Sequence, residues 1–170
     1  MWTAAPILTG VVLAGAAAAE TLTVPIVGAG GARIGEVAVE GVPTGVLLTL
    51  SIGRGGLAPG WHGIHLHAVA ECSDAGAFHR SMGHINPAGR KHGLRNPDGP
   101  DNADLPNLHA AADGSAHAQM FNARVTLEGG PAALLDADGA ALVIHADPDD
   151  HASQPIGGAG ARVACAAIRR

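Results

Sequence analysis

Apolar and polar residues alternate in short runs along most of this chain. The alternation recurs in "TLTVPIV" (21–27), "RIGEVAVE" (33–40), "GVLLTLSI" (45–52), "HGIHLHA" (62–68), "NLHAAAD" (107–113), "HAQMFNARVTLE" (117–128), "ALVIHA" (141–146) and "ARVACAAI" (161–168). A period of two puts one set of side chains on a buried face and the other toward solvent, the pattern of a half-buried strand. The eight runs therefore predict eight strands. "GAGGA" between the first two predicts a glycine-rich hairpin turn. The spacing of the turns predicts an all-β antiparallel sandwich or barrel. No heptad and no internal repeat interrupts it. Two connections are too long for hairpins, Ala68 to Pro106 and Asp147 to Gly160. Loops of that length in a compact domain are usually functional or disordered. The first gathers Cys72, His79, His84, His92, Asp101 and Asp104, a concentration of metal-ligand types rather than a disordered composition.

Composition narrows the picture. The 170 residues suffice for one domain with a core. With 25 glycines, 11 prolines and 2 % aromatics, the chain favours short strands and frequent turns over helices. The formal charge is −5 with no basic patch, which argues against a nucleic-acid partner. Residues 1–19, "MWTAAPILTGVVLAGAAAA", carry an apolar stretch from Ile7 to Leu13 and then small residues ending in Ala17-Ala18-Ala19. This is the plan of a secretion signal, although its start has no Lys or Arg. The run is too short to span a bilayer. We expect residues 1–19 to be removed, residues 20–170 to form the domain, no membrane contact in the mature chain, and a periplasmic or extracellular location. The two cysteines, Cys72 and Cys165, are an even count in an exported chain, which favours one disulfide over two buried thiols. Such a bond would close a loop of about ninety residues and contribute roughly 2–4 kcal/mol.

Histidines carry the candidate chemistry. In "WHGIHLHA" (61–68), His65 and His67 stand at i and i+2, on one face of a strand with Leu66 on the other. Two imidazoles side by side suit copper or zinc, and equally suit a hydrogen-bonded pair. His145 ends the apolar run "ALVIH" and is followed by the acidic "ADPDD". His84 and His92 lie eight apart in "MGHINPAGRKHG", and Asp101 and Asp104 three apart just after it. Histidine with carboxylate is a zinc-type ligand set.

The segments "HGIHLH", "GHINPAGRKHG", "DLPNL", "VIHADPDD" and "GGAGARVAC" together resemble the exported bacterial copper/zinc superoxide dismutases, in order and in approximate spacing, across about residues 20–168. The resemblance implies an eight-stranded Greek-key β-barrel with two long functional loops. It implies copper on His65, His67, His84 and His145, with His84 as a bridging imidazolate that also touches zinc. His92 and Asp104 become zinc ligands, and Asp149 the carboxylate joining one copper histidine to one zinc histidine. Arg162 becomes the residue that guides the anion to copper, and Cys72–Cys165 the disulfide tying the long loop to the last strand. One position departs from the family's pattern: Asp101 stands where the third zinc histidine belongs. A carboxylate can ligate zinc, so the expected set is His84, His92, Asp101 and Asp104.

The implied reaction converts two superoxide anions and two protons to O₂ and H₂O₂. Because superoxide is an anion and the chain is acidic, a local positive region is required; Arg162 and the copper supply it, with Arg80, Arg90, Lys91 and Arg95 as outer contributors. A non-enzymatic envelope protein that binds and delivers copper would use the same histidines, but would need neither Arg162 nor Asp149 nor a bridging ring. His62 is expected to pack or hydrogen-bond, and His79, His109, His117 and His151 to face solvent or polar surroundings, with a place near the metals left open for His79 or His151. A homodimer is open to such a barrel, although no interface is legible in its sequence.

Overall fold

The computed structural model describes residues 21–170; the leader read from residues 1–19 lies outside the described residues. Nine strands run in chain order: β1 (Thr21–Gly28), β2 (Arg33–Val42), β3 (Gly45–Ile52), β4 (Gly60–His62), β5 (Ile64–His67), β6 (Leu108–Ala110), β7 (Ala116–Asn122), β8 (Ala140–His145) and β9 (Arg162–Ile168). All strand pairs are antiparallel. Seven form one sheet in the order β5-β8-β9-β1-β2-β3-β7, and β4 pairs with β6. The small pair closes the barrel. Strand β4 runs into β5 and β6 runs toward β7, so pairing β4 with β6 ties together the two outermost strands of the large sheet.

The alternation seen in the sequence is the alternation of burial. In β3, Val46, Leu48, Leu50 and Ile52 point into the core while Thr49 and Ser51 face out. Strand β8 breaks the rule, being buried at every position, because the 69–82 loop covers its outer face. Phe78 reaches back from that loop to pack with Ala141, Val143 and Cys165, apart from the main core.

Two expected runs differ in extent. The single strand over 62–68 is split at Gly63, which is why eight runs become nine strands. A Cβ at Gly63 would come within 2.7 Å of Ala159 Cβ, so the chain bends there under the 147–160 loop and changes sheets. The run expected over 117–128 stops at Asn122; beyond it Arg124 turns inward to bond backbone carbonyls. Both long loops occur where expected. Cys72 and Cys165 form a disulfide with Cα atoms 5.8 Å apart, closing 93 residues.

Candidate metal centre

Strand β5 delivers His65 and His67, and β8 delivers His145. The loop between β5 and β6 delivers His84, His92, Asp101 and Asp104. All seven are buried or nearly so. His65, His67 and His145 each present one ring nitrogen to a common point, the three atoms lying within 4.8 Å of one another. Those atoms are Nδ1 of His65 and Nε2 of His67 and His145, and each is buried without a hydrogen-bond partner. His84 stands beside them, its ring centroid 4.4 Å from that of His65 and 5.3 Å from that of His67. Its Nε2 is also unpartnered.

The other nitrogen of each ring is tied down. His65 Nε2 donates to Asp149 Oδ2 at 2.9 Å. His67 Nδ1 donates to the Met82 carbonyl at 2.8 Å, and His145 Nδ1 to the Gly160 carbonyl at 3.1 Å. Each bond fixes the tautomer, so the free nitrogen carries a lone pair rather than a hydrogen. Burial is the main reason these rings resist protonation, reinforced by their mutual repulsion. His145 is pushed down to about 3, and His65 and His67 are lowered as well. Several bare, buried imidazole nitrogens cost free energy unless a cation takes them, and such a set suits copper.

A second cluster adjoins the first. One donor atom each from His84, His92, Asp101 and Asp104 lies within 4.8 Å of the others. His92 Nε2 donates to Asp149 Oδ1 at 3.1 Å. Its Nδ1 stands 2.6 Å from Asp104 Oδ1, yet neither atom finds hydrogen-bond alignment. A metal ion in place of the Nδ1 hydrogen would be shared by His92 and Asp104, and two histidines with two carboxylates suit zinc. Burial lowers the pKa of His92, but the adjacent Asp104 and Asp149 carboxylates outweigh it and raise it to about 10.

The carboxylates are held by backbone. Asp101 Oδ1 accepts the N–H groups of Ala103 and Asp104, leaving Oδ2 toward His84 at 2.9 Å. Asp104 Oδ2 accepts the N–H groups of Gly93 and Asp101, leaving Oδ1 toward His92. Asp149 joins the two clusters through His65 and His92. Burial opposes its charge, yet these bonds hold its carboxyl far below the usual carboxylate range. Gly157 makes this position possible, because a Cβ there would overlap Asp149 Oδ1.

Arg162 lies at the mouth. Its Nη1 donates to the Phe78 carbonyl at 2.7 Å and to Ser81 Oγ at 3.1 Å. It lines a cavity of about 370 Å³ with His67, His84, His92, Asp101 and Arg90. Of the outer cations expected to help, Arg90 lines this cavity, whereas Arg95 lines a different one beside Trp61.

Residues 33–168 match the family model described as copper/zinc superoxide dismutase. The chain belongs to the copper/zinc superoxide dismutase family. It is 50 % identical over 142 residues to a copper-zinc superoxide dismutase of Caulobacter vibrioides, covering 82 % of this chain and 80 % of that one. Among solved structures, a superoxide dismutase-like protein from Bacillus subtilis matches with a TM-score of 0.80 at 32 % identity, covering 86 % of this chain and 97 % of that one. The copper/zinc superoxide dismutase of Brucella abortus matches with a TM-score of 0.69 at 27 % identity, covering 88 % and 99 %. The family binds copper and zinc, and the expected Greek-key barrel is the fold of these neighbours.

Every residue expected at the metal-binding set of this dismutase-type chain falls in one of the two clusters. Several partners escaped sequence reasoning. Asn107 grips the backbone of Asp149 on both sides, accepting its N–H at 2.9 Å and donating to its carbonyl at 2.8 Å. Gln154 does the same to His92 at 3.0 and 2.9 Å. Arg124 donates to the carbonyls of Asp101 and Asp104. A single amide or Arg leaves no periodic trace; only Asn107, inside "DLPNL", lay within a recognised segment. His62 is buried as expected and bridges the carbonyls of His145 and Ala58 at 2.7 and 2.8 Å. His79, His109 and His117 face solvent. His151, one of the two histidines left open for a place near the metals, lies beside the site, with its backbone N–H on Asp149 Oδ1 at 2.6 Å.

Proposed function

We propose that this chain disproportionates superoxide to O₂ and H₂O₂ with copper on His65, His67, His84 and His145 and zinc on His84, His92, Asp101 and Asp104. The observation that carries the reading is the set of buried, unpartnered histidine nitrogens whose opposite nitrogens are all hydrogen-bonded. When bound, copper supplies one-electron cycling, and zinc supplies fixed charge without redox chemistry.

The chain's own residues do the rest. Arg162 offers a charged fork at the cavity mouth, oriented by Phe78 and Ser81, and attracts the anion into a site that the acidic surface would otherwise repel. His65, His67 and His145 hold their lone pairs inward through Asp149, Met82 and Gly160. Asp149 makes the geometry of one cluster depend on the other, because the same carboxylate orients His65 and His92. Superoxide consumption by metal-loaded protein tests the reading: turnover in proportion to copper is expected, and stoichiometric binding without turnover would instead indicate a copper carrier.

The same proposal has the chain exported, cleaved after Ala19 and working in the periplasm or outside the cell. The leader pattern and the Cys72–Cys165 disulfide support this. The net charge of −5 is poor for nucleic acid, and among the described residues no helix is long and apolar enough to cross a membrane. Intact mass of protein from the cell envelope should show loss of 19 residues and of two hydrogens at the cysteines; a full-length species with two free thiols would contradict it.

A further inference from the structure

The Asp101 carboxylate does more than complete a zinc set. Its Oδ2 accepts a hydrogen bond from His84 Nδ1 at 2.9 Å, with both side chains nearly buried. A carboxylate only accepts, so the hydrogen is on Nδ1, which in the neutral ring leaves Nε2 bare. That bare Nε2 is the unpartnered atom beside His65 and His67. The neighbouring pair behaves differently: His92 and Asp104 approach without hydrogen-bond alignment. Asp101 is also preset, since Oδ1 is claimed by the N–H groups of Ala103 and Asp104, and Arg124 holds the Asp101 carbonyl at 2.9 Å. A histidine at this position could not offer an acceptor oxygen fixed in this way.

We infer that Asp101 is a positioning residue for the copper site, holding His84 through Nδ1–H in the tautomer and orientation that copper needs, so that the four-histidine copper set is complete before zinc binds. The inference rests on the proposed copper assignment of His84 but not on zinc ligation by Asp101. When zinc is bound His84 would serve it as a ligand; without zinc, the Asp101 carboxylate holds the ring.

Asp101→Asn separates this role from simple support of the turn. The amide is isosteric, and its oxygen stays with the two backbone N–H groups. Its NH₂ then faces His84 Nδ1, which must accept, and the ring hydrogen moves to Nε2, where copper should bind. In metal-stripped, full-length protein loaded with Cu(II) alone, copper affinity is measured by chelator competition and the ligand set by electron paramagnetic resonance. The zinc-free parent should give the spectrum of the zinc-loaded parent. Zinc-free Asp101→Asn should lose about 10–100-fold in copper affinity, the range for partners that orient metal-bound histidines, and lose a nitrogen from the spectrum, with its unfolding temperature near the parent's. Parent-like copper affinity and spectrum in that variant would overturn the inference. If the variant does not fold, ¹⁵N shifts of His84 in the metal-stripped parent decide: hydrogen on Nδ1 supports it, hydrogen on Nε2 overturns it. Failure of the zinc reading is separate, and would appear as unchanged zinc affinity in Asp101→Ala.

Discussion

Arg162 and His92 show how single side chains set rate and metal uptake. The Arg162 guanidinium hydrogen-bonds Phe78 and Ser81 and no proposed ligand, and its pairing with His145 is through the backbone ladder, so Arg162→Ala should keep its copper. A single charge acting on an anion through partly solvated protein is worth on the order of 1 kcal/mol, and its loss should slow superoxide removal by several-fold. Raising ionic strength should slow the parent more than the variant, because screening removes what the substitution already removed. Copper lost in step with activity would make Arg162 structural instead. His92 gives a pH prediction. Its protonated form is favoured up to about 10 by Asp104 and Asp149, against burial. Zinc competes with that proton, so zinc affinity should rise with pH toward about 10, and uptake near neutral pH should release a proton, readable with an indicator dye in weak buffer. The same shift stabilises the metal-free fold fully below the ordinary value of 6.5, a contribution that fades as pH rises through about 10. His65, His67 and His145 have lowered values, so copper uptake should release no proton from them. Zinc titrations with no proton release would contradict the assignment.

At the scale of elements, the disulfide and Phe78 fasten the 69–82 segment to β8 and β9, and through it the acceptors of Arg162 and His67. Cys72→Ser should lower stability by roughly 2–4 kcal/mol in urea unfolding. It should also slow turnover at unchanged copper content, since Phe78 and Ser81 lose their anchorage; unchanged turnover would mean that Phe78 alone holds the loop. The alternation of hydrophobic and polar residues made most strands legible, and His65 and His67 could be placed on one face from spacing alone. Gly63 was not legible as a break, because its need arises from Ala159, far along the chain. The acceptors Met82 and Gly160 were not legible either, since a backbone carbonyl has no side-chain signature. Asp101 could be located by its spacing to Asp104, but its dual contact with backbone N–H groups and His84 belongs to the folded loop.

The whole molecule joins two clusters through one carboxylate, inside a barrel closed by the β4–β6 pair. Asp149→Ala should therefore damage both metals at once: zinc affinity should fall about 10–100-fold and copper affinity with it, and the free His65 and His92 nitrogens should destabilise the fold. Separate titrations of the two metals check this, and a loss confined to one would show that the clusters are independent. The central claim is that the converging histidines hold a copper that turns over superoxide. The direct measurement is superoxide decay, followed optically, against copper content in the zinc-loaded parent and in His145→Ala. We expect catalytic decay proportional to copper in the parent, and loss of both copper and decay in the variant. A parent with copper bound by these histidines and no catalytic decay would contradict the account.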